Sequence, residues 1–163
     1  MEESSGSTSD IASSQGSSDI RKKFLSLVPE DYNPQFVYIV VQKRISTRIM
    51  MKQQNGVENP PPGTILDHTV TRRNFKDFFL VPQAVNQGTV TPTHMVLAYE
   101  NGDKLDADTI QKLAYKLTHM YFNWPGTVRV PAPCQYAHKL VDLVGEHLKG
   151  QPSQELNDKL YFL

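Results

Sequence analysis

Cys134, His138 and Asp142 follow one another at i, i+4 and i+8, along one row of a helix. Thiolate, imidazole and carboxylate are all metal ligands. At a rise of roughly 1.5 Å per residue the outer two stand about 12 Å apart, too far to share one ion. His138 also flanks Ala137 and Val141, so spacing alone favours a histidine at the edge of an apolar stripe. A second group, Lys43, Arg44 and Arg48 with Lys52 beyond, gathers positive charge at the end of an apolar run. Ligands of open α/β sheets bind beyond strand ends, and arginine forks match phosphate oxygens. The bland alternative is a solvated strand end. The third is Tyr121-Phe122-Asn123-Trp124, whose aromatics near basic residues could stack on bases. Helix-end core packing is the better expectation for Phe122 and Trp124.

Other residues carry less. His68, His94, His119 and His147 have no ligand-like spacing to one another. Asp67, at a strand end, reads as a turn or cap residue, and Arg72, Arg73 and Lys76 as an exposed loop. There is no P-loop, GxGxxG or GxSxG, and Cys134 has no base partner of the kind thiol enzymes use.

The 163 residues suggest one domain. Residues 1–18 hold eight serines and almost nothing apolar, so they are expected to be a disordered tail before a domain over 19–163. Net charge is zero, but the tail carries −3 and the remainder +3. A dedicated basic domain would be more lopsided, so phosphate contacts must come from a local cluster. One cysteine fits a reducing compartment. The serine-rich, acidic start is no signal peptide, and the run Phe36 to Val41 is too short for a bilayer. A soluble intracellular protein, with no membrane partner, is expected.

These residues need elements to hold them. Residues 19–28 predict a helix stopped by Pro29. Residues 36–43 predict a strand buried on both faces, and 51–63 a loop broken by Asn55-Gly56 and Pro60-Pro61-Pro62-Gly63. Further strands are expected over 64–67, 78–81 and 93–99. Asp106 caps a helix with the stripe Ile110, Leu113, Ala114, Leu117, Met120 and Tyr121, ended by Pro125-Gly126. Residues 127–130 predict a strand. A helix from near Pro133 carries the stripe Ala137, Leu140, Val141, Val144 and Leu148. The apolar end Leu160-Tyr161-Phe162-Leu163 is expected to dock on the protein. The pattern is an α/β arrangement.

In order along the chain, several blocks resemble the Piwi branch of the Argonaute family. They are Val40-Val41-Gln42-Lys43-Arg44 with Thr47-Arg48, the proline-rich link to Asp67, Asp77 to Val81, Gln87 to His94, Leu113 to His119, Tyr121 to Gly126, Arg129 to Leu140, and Leu160 to Leu163. The resemblance spans roughly 36–163 and extends more faintly over 19–35. It implies an RNase H-like α/β fold, here its C-terminal portion. It implies a small guide RNA paired to a target RNA, with no DNA expected. Active members hold divalent ions, Mg2+ or Mn2+, on three acidic residues and a histidine, and cleave the target. Only the histidine carries over, onto His138, because the chain starts after the acidic positions. By the same resemblance Lys43, Arg44, Arg48, Tyr121, Asn123, Arg129 and Gln135 contact guide phosphates. The terminal carboxylate of Leu163 helps hold a metal at the guide's 5′ phosphate.

The expectation is therefore a C-terminal fragment or short form of a Piwi-type Argonaute, serving piRNA-guided transposon silencing. Its partners would be the remaining Argonaute domains or Piwi-pathway proteins, in the cytoplasm and its perinuclear granules, with the nucleus as alternative. The chain alone is expected not to cleave RNA. Rival readings are a noncatalytic RNA- or partner-binding module and a poorly folding truncated product.

Overall fold

In the computed structural model, residues 18–20, 22, 23, 25, 26, 29, 32, 34–54, 56–100 and 105–163 are described. The serine-rich tail and residues 101–104 lie outside them, as does part of the helix expected over 19–28. Its described residues 19, 20, 22, 23 and 25 are helical.

Six strands form. β1 (Val37–Gln42), β4 (Ile65–Leu66), β5 (Asp77–Leu80) and β6 (Thr93–Glu100) make one sheet in the order β1-β6-β5-β4. Every pairing in it is antiparallel. β2 (Met51–Gln53) and β3 (Gly56–Glu58) form a separate exposed hairpin where a loop was expected. Asn-Gly is a hairpin signal in a sequence as well as a breaker, and here its glycine opens β3 opposite Gln53.

Burial on both faces falls on a different strand from the one expected. β1 is half-buried from Val37 to Val41 because it lies at the sheet's edge and pairs with β6 alone. β5, between β4 and β6, is buried throughout. Phe78 and Leu80 point to one face and meet Met95 of β6. Phe79, on the other face, stacks on His94, its cross-strand neighbour, at 4.4 Å and 15°.

α1 (Ala107–Leu117) closes the first face with Ile110 and Ala114. Asp106 caps it as expected, accepting from the Thr109 amide at 3.2 Å. Its buried side is Ile110, Gln111 and Ala114, and Leu113 points outward. The helix ends at Leu117, so Met120 lies beyond it and is exposed. Gln111 is buried because its amide donates to Asp67 Oδ2 at 2.8 Å. Gly63, with φ 87°, makes the turn before β4, and a Cβ there would stand 3.3 Å from the Tyr115 ring.

α2 (Ala132–Leu143) starts after Pro131 with Pro133 in its first turn, then winds on as a π-helix over Val144–Leu148. Its predicted stripe is not a core face: Ala137, Val141 and Leu148 are exposed. An open groove of about 410 Å³ lies between α2 and β1, lined by Ala137 and Val141 on one side and by Tyr38 to Val41 on the other. Residues 127–130, expected as a strand, pair with no strand and run as an irregular strap. The C-terminus docks through Tyr161 and Phe162, both half-buried, while Leu160 and Leu163 stay exposed. No helix among the described residues is long and apolar enough to cross a membrane.

Leu80→Ala should destabilise the chain by about 2–5 kcal/mol, because it empties a fully enclosed site. Val141→Ala should change stability by less than about 0.5 kcal/mol. Urea midpoints of the two variants check the contrast.

Candidate nucleic-acid interface

Lys43 and Arg44 follow the last residue of β1, so their backbone direction is set by the sheet. The strap reaches them from the other side. Arg129 Nη2 donates to the Lys43 carbonyl at 2.7 Å. The Arg129 carbonyl accepts from Thr93 Oγ1, a fully buried hydroxyl at the start of β6, at 2.6 Å. One residue of the strap is thus tied to two neighbouring strands. Earlier, the Val128 amide donates to the Thr118 carbonyl at 2.9 Å, fixing the strap to the end of α1.

The segment between α1 and the strap is held by Tyr136. Its hydroxyl accepts from the Phe122 amide at 2.8 Å, and its ring lies 4.9 Å from Tyr121. Phe162 packs on the other side, 5.8 Å from Tyr136. The docked C-terminus therefore supports the same tyrosine that positions Tyr121.

These ties create a pocket of about 490 Å³. Lys43, Arg44, Tyr121, Asn123, Arg129 and Gln135 all line it. Trp124, Gln83 and the strap residues Thr127, Val128 and Val130 also line it, and no carboxylate is among the described residues that do. Three cations, hydrogen-bonding amides and a phenol with no opposing acid make a surface suited to phosphate oxygens. A second, wider groove of about 710 Å³ shares Lys43, Arg44 and Gln135 and leads to His138 and Asp142.

Six of the seven residues singled out for guide contact thus share one pocket. Arg48 stands apart. Its Nη1 folds back onto the carbonyls of Ile45, Ser46 and Thr47 at 3.3, 3.1 and 2.9 Å. That segment has no strand partner, so its carbonyls need a donor from elsewhere. Leu163 lines neither the pocket nor the groove.

The sequence pointed away from two residues here. Trp124 and Phe122 were expected in helix-end packing, yet both are exposed, because the helix stops at Leu117 and the following turn projects from the fold. Gln83 belongs to no motif, and only its place after the buried Pro82 brings it to the pocket. Behind the pocket, His94 bridges Gln42 and the buried Asp77. Its Nδ1 lies 2.9 Å from Gln42 Oε1 and its Nε2 2.8 Å from Asp77 Oδ2. His94 is thus a nearly buried link within the sheet, in keeping with its lack of ligand-like spacing to the other histidines. Arg72 of the basic loop reaches the same Asp77 oxygen at 3.2 Å.

His138 is exposed on α2, with Asp142 one turn further along the same groove. Cys134 is half-buried in the adjoining groove under β1. No group of three or more His, Cys, Asp or Glu suited to a metal occurs among the described residues. Asp67 serves as an anchor: hydrogen bonding from Gln111, then the contact with His68, holds its carboxyl below the ordinary value.

The Piwi domain family profile matches residues 5–149. The chain belongs to the Piwi family. Piwi-like protein 1 of Gallus gallus is 52% identical over 139 residues, covering 85% of this chain and 16% of the relative. The crystal structure of Drosophila Piwi superposes with a TM-score of 0.71 at 38% identity, over 91% of this chain and 20% of that one. A Kluyveromyces polysporus Argonaute solved with a guide RNA gives a TM-score of 0.65 at 27% identity, over 86% of this chain and 18% of that one. This Piwi chain therefore spans about 16% of the length of that curated relative. Its fold is the RNase H-like α/β fold of the C-terminal Piwi region, as the sequence implied.

Burial pushes the Cys134 thiol up, and Lys43 partly opposes that shift. Cys134 should therefore alkylate more slowly than a free cysteine peptide at pH 8, and Lys43→Ala should slow it further. Mass-spectrometric time courses check both.

Proposed function

We propose that this Piwi-family chain holds the sugar-phosphate backbone of a small guide RNA, a piRNA, for silencing of transposon transcripts. The convergence of Lys43, Arg44 and Arg129 on one pocket, with no carboxylate among its described lining residues, carries the reading. Tyr121, Asn123 and Gln135 add neutral hydrogen-bonding groups on the same walls. Such a surface contacts backbone oxygens and leaves base sequence to pairing between guide and target. The Kluyveromyces Argonaute was solved with a guide RNA, which supports the same class of ligand. Arg48, committed to its own turn, is assigned a structural part. The setting for this function is the cytoplasm, with the remaining Argonaute domains as neighbours.

Divalent Mg2+ or Mn2+ belongs to the family resemblance, and its chemistry would be activation of water on a target phosphate. The donor set around His138 does not fit a metal pair: among the described residues Asp142 shares one groove with it and Cys134 the adjoining one, and no group of three ligands forms. His138 is assigned as one member of a site whose other members lie on other parts of an Argonaute. The Leu163 carboxylate is likewise read as completing a site with a neighbouring domain. For the 163 residues alone the reading is RNA holding without cleavage.

The edge position of β1 and the open apolar groove beside α2 favour a partner-binding module as the second reading. The remaining Argonaute domains would cover that face. Unpaired strand edges also promote association of isolated chains, the route by which a truncated product would fold poorly.

Single-stranded RNA should bind the chain with an affinity that falls steeply with salt. Lys43→Ala/Arg44→Ala should weaken it roughly tenfold or more, measured by fluorescence polarisation. Salt-independent binding, or an unaffected double variant, would count against a phosphate-holding pocket. In magnesium the wild-type chain should leave a guide-paired RNA uncut. Cleavage that His138→Ala abolishes would show a complete metal site and overturn the noncatalytic reading.

A further inference from the structure

We propose that Trp124 is a nucleobase-stacking residue, holding one unpaired base of a single-stranded RNA whose phosphate lies against Lys43 and Arg44. This rests on the phosphate-holding reading above and adds a base subsite to it. Trp124 is 59% exposed, a large apolar surface for a side chain that could have been buried, and it lines the cationic pocket. Phe122, though 84% exposed, does not line it.

The turn that carries the indole is built to hold it still. The Trp124 amide donates to the Tyr121 carbonyl at 3.3 Å, the Phe122 amide to Tyr136, and Val128 to Thr118. A Cβ at Gly126 would stand 3.0 Å from Trp124 Nε1. Glycine at 126 therefore lets the indole edge pack against the backbone of its own turn. A rigid aromatic surface beside phosphate-binding groups is the arrangement by which single-stranded RNA is held without sequence preference. Asn123 and Gln135 on the same pocket can reach ribose hydroxyls or base edges. The cations on this wall, with no carboxylate among the described lining residues, favour a polyanion over an apolar protein surface as the occupant.

Trp124 is the one tryptophan of the chain, so its emission reports this site alone. The wild-type chain is titrated with a 12-mer of single-stranded RNA and with an abasic ribose-phosphate oligomer of equal length. RNA should quench the emission and bind more tightly than the abasic oligomer. Trp124→Ala should lose roughly five- to hundred-fold in RNA affinity and no longer distinguish the two ligands. Trp124→Phe should keep most of the preference. Circular dichroism of both variants confirms the fold. If RNA binds with neither quenching nor preference over the abasic oligomer, stacking is overturned and the phosphate-holding reading stands. If neither ligand binds the wild-type chain, both fail. If Trp124→Ala leaves RNA affinity intact but dissociates a dimer in sedimentation, the indole is a protein contact and the proposal is overturned.

Discussion

Arg129 stands between two strands and the pocket they border. Its side chain donates to the Lys43 carbonyl and its own carbonyl accepts from the buried Thr93 hydroxyl. The strap has no ladder of its own, so these bonds substitute for one. They also fix the approach of α2, which begins directly after the strap, and with it Gln135 and His138. Without them the ends of β1 and α2 would have little to hold them together, since an open groove lies between their apolar faces. An arginine suits this place because its planar fork can satisfy a backbone carbonyl and still present charge to a ligand.

The unevenness of the core follows from the sheet order. β5 is central and buried, β1 lies at the edge, and α1 covers the face around Phe78, Leu80 and Met95. The stability of the chain is concentrated there, while the pocket is assembled at the margin from strand end, strap, turn and C-terminus. Tyr136 joins the last of these to the rest by touching Tyr121, Phe122 and Phe162. That economy explains how short irregular segments can present Tyr121, Asn123 and Trp124 in a defined geometry.

The cationic pocket and His138 are joined by a single groove. The groove that links them runs from Lys43 and Arg44 past Gln135 to His138 and Asp142. A nucleic-acid strand lying along it, as proposed above, would run from Lys43 and Arg44 towards His138. The open face between β1 and α2 lies beside the same groove, sharing Val41, Lys43 and His138 with it.

The sequence by itself determined the elements with strong local signals. Asp106 as a helix cap, the apolar strands at β5 and β6, the histidine on a helix and the family motifs could all be read from residue types and spacing. It also brought six pocket residues to notice through their motifs. Tertiary structure alone decided which apolar faces are covered. Val141 and Ala137 carry the same helical spacing as a core stripe, yet burial depends on what lies opposite, and β1 does not close on them. It decided, too, that residues 127–130 serve as a strap and that Arg48 turns back on its own segment. Both depend on which donors and acceptors remain unpaired once distant segments meet, and no local pattern encodes that. The exposure of Trp124 is of the same kind: the aromatic run fitted a helix end, and only where α1 stops and how the turn projects set it on the pocket wall.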